Sequence, residues 1–100
     1  MNSIGEKIRN LRLDKQLPLR IVAAYLDIDQ AILSGIERGK RKATRERIVK
    51  LAQYFNVPEN NLLITWLADK VVYEVADESV AFEALKVAEE KVKYNIIEKI

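Results

Sequence analysis

Leu17-Pro18-Leu19-Arg20-Ile21-Val22-Ala23-Ala24-Tyr25-Leu26-Asp27-Ile28, followed by Asp29-Gln30-Ala31-Ile32-Leu33-Ser34-Gly35-Ile36-Glu37-Arg38-Gly39-Lys40-Arg41, is the stretch whose reading decides the fold. Val22, Ala23 and Leu26 share one face of a helix that starts at Pro18, whose fixed φ suits a first helical position, and stops at Asp27. After a very short connection the pattern resumes. Asp29 is a capping residue type, Ile32, Leu33 and Ile36 face inward, and Gly39 stands where a helix terminates. The outer face of this second short helix is small and polar.

Working outward, Ser3 and Glu6 have capping-box spacing, and Ile4, Ile8 and Leu11 form the buried stripe of a first helix ending near Lys15 or Gln16. On the other side Thr44 caps a fourth helix carrying Ile48, Leu51, Ala52 and Phe55, which Asn56-Val57-Pro58 ends. Pro58 opens a fifth, running from Glu59 through Leu62, Leu63, Trp66 and Leu67 towards Val75, and a sixth starts near Ser79 and continues to the carboxyl end. Strict alternation bounded by tight turns is missing, so the expected class is all-α.

One hundred residues with 49% apolar content suffice for about one hydrophobic core. Three Gly and two Pro leave no flexible linker. The first fifteen residues are charged every few positions, which argues against a signal peptide or a membrane span and predicts a soluble, cytoplasmic protein. Cys and His are both absent, which removes any thiolate nucleophile or ligand together with the commonest general base near neutral pH and the commonest metal ligand. No paired carboxylates or phosphate-cradling glycine loop compensate, so an enzyme is not expected, nor is a metal, cofactor or small-molecule ligand. Charge is unevenly spread: residues 1–58 hold 12 Lys/Arg against 6 Asp/Glu, a balance of +6, while residues 59–100 hold 5 against 9, a balance of −4. A basic half beside an acidic one suggests that one face meets a polyanion.

The quoted stretch resembles the lambda-repressor-like (Xre-type) helix-turn-helix family, through Ala23 in the middle of the second helix and the Ile36-Glu37-Arg38-Gly39-Lys40 ending of the third. With the flanking helices the resemblance covers about residues 4–63. It implies a five-helix DNA-binding domain, with residues 29–37 as the recognition helix and the sixth helix as an addition. A helix with a polar front can enter the major groove, where base edges present distinguishable donors and acceptors. Gln30 matches a base-reading position of the family, and its amide can bond an adenine edge in two places; Ala31 can meet a thymine methyl and Ser34 either base type. Without the resemblance, these three residues read equally well as the solvated face of a bundle helix.

Arg38, Lys40, Arg41, Lys42, Arg45 and Arg47 place six positive charges in ten residues against the single acid Glu46. In the family this segment lies along the DNA backbone, which makes Arg38, Lys40, Arg41, Lys42, Thr44 and Arg45 expected phosphate contacts. Arg12 and Glu37 occupy positions that form a structural salt bridge in relatives. Three departures stand out. Leu19 replaces the usual Gln and cannot make its phosphate contact, so Arg20 is expected to substitute. Asp27 replaces a Gly, and Gly35 replaces a polar or basic residue, presenting no side chain to a base.

The expected boundary places the DNA-binding domain at 1–64 and, at 65–100, a helical extension that packs on the same core and serves as a dimerisation element. Leu85, Ala88, Val92 and Ile96 continue a seam at helical spacing, which either pairs two chains or folds back over Trp66 within one chain. The expected function is a transcriptional regulator that binds a short palindrome in double-stranded DNA as a homodimer. A restriction-modification controller, an antitoxin of the same fold, or a protein-interaction module with weak DNA binding are the alternatives.

Overall fold

The computed structural model describes residues 2–94. Its helices are α1 (Ile4–Asp14), α2 (Leu19–Leu26), α3 (Gln30–Glu37), α4 (Arg45–Phe55), α5 (Glu59–Val75) and α6 (Ala81–Lys93), with no strand among the described residues. The chain divides into two compact units between Lys70 and Val71.

In the first unit, local chemistry sets most helix ends. Ser3 and Glu6 complete a capping box: the Glu6 amide donates to Ser3 Oγ at 3.2 Å and the Ser3 amide to Glu6 Oε1 at 3.1 Å. That amide, followed by the Ser3 hydroxyl, holds the Glu6 carboxyl below its ordinary pKa. A second acid arrives from α5, where Asp69 Oδ2 accepts from the Ile4 amide at 2.7 Å. Thr44 caps α4 by accepting from the Arg47 amide at 3.2 Å. Two expectations shift here. Pro18 takes the cap position with extended ψ of 157°, so α2 starts one residue later. Asp29 caps α3 by position alone, without a side-chain bond.

Asp27 adopts the left-handed conformation at φ 58° and ψ 47°, which lets the next amide, that of Ile28, donate to Ala23 O at 3.0 Å and turns the chain after only two turns of helix. Asp is one of the few side chains that visit this region. Asn56 does the same at the end of α4, at φ 55°. Gly39, at φ 75°, closes the loop after α3.

Every helix of the first unit contributes to one core built from Ile8, Val22, Ala23, Leu26, Leu33, Ile36, Ile48, Leu51, Ala52, Phe55, Leu62, Leu63 and Trp66. Ala23, 2% exposed, leaves α2 and α3 room to pack closely. Trp66, beyond the 64/65 boundary drawn from the sequence, belongs to this core, whereas Leu67, expected on the same stripe, is exposed. Lys7 ties α1 to α5 through Nζ bonds to Asn61 O at 3.2 Å and Thr65 Oγ1 at 3.0 Å. Gly5 is buried where α1 meets the end of α3. A Cβ there would fall 2.7 Å from Glu37 O and closer still to Ile36 O.

The second unit contains the end of α5 and α6. No residue of α6 is buried; Leu85 is half-buried and Ala88 and Val92 are exposed, while Ile96 lies outside the described residues. No described helix is long and apolar enough to cross a membrane.

Candidate nucleic-acid interface

The geometry of the candidate surface starts from an ion pair beneath it. Arg12 and Glu37 are 8% and 6% exposed, so their charges need full compensation. Arg12 Nε donates to Glu37 Oε2 at 2.8 Å and Nη2 to Oε1 at 2.9 Å, a two-pronged contact joining α1 to the last residue of α3. A third donor, Nη1, reaches Leu17 O at 2.8 Å, just before α2. Hydrogen bonding to Glu37 raises the Arg12 pKa above its already high ordinary value, so the guanidinium stays charged. One side chain therefore pins both helices of the turn to α1. No buried side-chain nitrogen or oxygen among the described residues lacks a partner.

Held in this way, α3 buries Leu33 and Ile36 and turns Gln30 and Ala31 outward, with Ser34 half-buried beside them. Arg38 is exposed, its Nε 3.4 Å from Ser34 O, so it lies back along the helix. Lys40, Arg41, Lys42, Thr44 and Arg45 are all exposed on the following loop and the start of α4. Arg20 is exposed at the first turn of α2, next to a half-buried Leu19 that packs against the core. Arg47 lies half-buried and lines a shallow depression with Asp27, Ile28, Asp29 and Ile32, so it faces the turn between α2 and α3.

Gly35 differs from the expectation of an empty place on the helix front. It is buried, and a Cβ built on it would lie 3.0 Å from Arg41 Cγ and 3.1 Å from Cδ. The loop folds back so that the Lys40 and Arg41 amides both donate to Gly35 O, at 2.8 and 3.1 Å. The stem of Arg41 covers the place that a side chain at residue 35 would occupy.

Sequence reasoning missed how the basic loop is anchored. Trp66 Nε1 donates to Ala43 O at 2.8 Å, fixing the loop to α5, and Lys70 Nζ sits 4.4 Å from the centre of the Trp66 ring. A lone Trp in an apolar stripe does signal that its N–H needs an acceptor, but not which one.

The helix-turn-helix family HTH_3 matches residues 8–62 of the chain. Two proteins of Bacillus subtilis (strain 168) are similar to it. The uncharacterized HTH-type transcriptional regulator RghRB is 36% identical over 64 residues, 63% of this chain and 46% of that protein. The HTH-type transcriptional repressor RghR is 34% identical over 64 residues, 63% of this chain and 47% of that protein. The aligned region thus spans about half the length of these curated relatives.

Proposed function

The chain belongs to the Xre-type, lambda-repressor-like helix-turn-helix family, and from that premise we propose that it is a sequence-specific DNA-binding transcription regulator. In this reading α3 enters the major groove, where Gln30, Ala31 and Ser34 meet base edges. Arg20, Arg38, Lys40, Arg41, Lys42, Thr44 and Arg45 meet phosphates on either side. The observation that carries the reading is the presentation of α3: a helix with an exposed Gln30-Ala31 front, clamped from behind by Arg12 and Glu37 and followed by an exposed basic loop. A packed, satisfied support is what a reading surface requires, since base discrimination depends on placement within a fraction of an ångström.

Two copies reading an inverted repeat complete the proposal. Half-sites one helical turn apart match a two-fold dimer, and the Leu85-Ala88-Val92 seam of α6, half-buried at Leu85 and exposed at the other two, is the surface we assign to pairing. The exposure of this seam supports the assignment, because it leaves apolar side chains in need of a cover.

The test is duplex binding followed by fluorescence anisotropy across a salt series. Each phosphate contact steepens the log–log salt dependence by about 0.9, so the six charged candidates give a slope of up to about −5 per protomer. Binding that does not change with salt contradicts the proposed clamp.

A further inference from the structure

We infer that Arg41, beyond the phosphate contact assigned to it above, is a specificity-determining residue whose guanidinium reads a base edge from the place over Gly35. The inference rests on the proposed entry of α3 into the major groove. Three observations carry it.

First, residue 35 lies four positions after Ala31, so the two share a face of α3, and Ala31 is on the exposed front. A side chain at 35 would extend that front by one turn. Second, Gly35 has no side chain, yet it is buried, because Arg41 lies over it: the carbons in contact range of the missing Cβ are Arg41 Cβ, Cγ and Cδ, at 3.5, 3.0 and 3.1 Å. Third, the backbone holds Arg41 there, since its own amide and that of Lys40 both donate to Gly35 O. Arg41 nevertheless remains exposed overall, as expected where the stem lies against Gly35 and the charged end stays in solvent.

The chemistry suits the place. A planar guanidinium with paired donors is the commonest specific partner of guanine O6 and N7, and a stem laid against a helix loses less freedom on binding than a free one. Glycine at residue 35 makes room for that stem: a methyl group there would oblige Arg41 to give way by a few tenths of an ångström. The loop supplies the reader that α3 lacks.

The experiment selects preferred duplexes from random DNA with the wild-type chain, then measures affinities of single-base variants of that duplex for wild type, Arg41→Lys, Arg41→Ala and Arg45→Ala. Arg41→Lys keeps the charge and most of the stem but not the paired donors. Its expected effect is loss of about 5- to 150-fold discrimination at one G·C pair, the loss of one bidentate contact, with other positions read as before. Arg41→Ala loses the same discrimination and some general affinity. Arg45→Ala weakens all duplexes evenly. Arg41 variants that discriminate as wild type does, losing affinity evenly or not at all, overturn the inference and leave the proposed function standing. A wild-type chain that enriches no sequence overturns both.

Discussion

Glu37→Ala is expected to lower the free energy of unfolding by about 3–5 kcal/mol, the range for removing one partner of a buried ion pair. The magnitude follows from what would be left behind. Arg12 cannot shed its proton, and it is 8% exposed with two of its donors aimed at the missing carboxylate. The penalty is that of an uncompensated buried charge rather than the modest net worth of the pair. Urea unfolding followed by circular dichroism measures it. A loss below about 1 kcal/mol, typical of exposed pairs, would show that solvent reaches the site and that α3 is not clamped as described. A stability of this size is a large fraction of what a domain of this length possesses, so the variant should also lose DNA binding.

Gly5→Ala is a test in which local and tertiary physics predict opposite signs. Helix propensity alone predicts a gain of up to about 1 kcal/mol, because Ala orders at less entropic cost than Gly. Tertiary structure predicts the reverse. The new methyl group would meet the carbonyl oxygens of Ile36 and Glu37, which are backbone atoms at the end of α3 and cannot swing aside as a side chain does. Forcing α1 away costs about 1–3 kcal/mol, the usual range for overpacking, and lowers the midpoint of thermal unfolding by about 5–20 °C in a domain of this size. A raised midpoint would mean that α1 and α3 do not approach so closely. The displacement would also strain the Arg12–Glu37 contact, which crosses the same junction.

Features that could be read from sequence were those written within a few residues. Ser3 and Thr44 cap their helices through partners three positions away, and the apolar stripes of α1 to α4 follow the helical period. Where tertiary placement decides, the residues were silent. Gly5 gave no local sign that α3 lies against it. Asp69 caps α1 from 65 positions away and Trp66 anchors a loop 23 positions before it, spacings that no periodicity reports. Gly35 shows the same lesson on the candidate surface: a missing side chain in the sequence is a covered place in the structure, because Arg41 arrives from the next loop. Asp29 shows the opposite error, a good capping residue type whose side chain makes no cap. The Arg12–Glu37 pairing was suggested by resemblance alone; its two-pronged geometry and the third bond to Leu17 belong to the structure.

On the proposed reading, a short helix with few readers is supported from behind by the Arg12–Glu37 ion pair and followed by a basic loop that Trp66 ties to α5 through Ala43 O. Such an arrangement makes the outer face of α3 the point at which the whole reading stands or fails. Selection of bound duplexes from random DNA, run in parallel with wild type and Gln30→Ala, tests that point most directly. The predicted result is that wild type enriches one short sequence and that Gln30→Ala loses about 1–3 kcal/mol of discrimination at a single A·T pair while its binding to unrelated DNA is unchanged. Enrichment of the same sequence by both chains, with equal discrimination at every position, would contradict it.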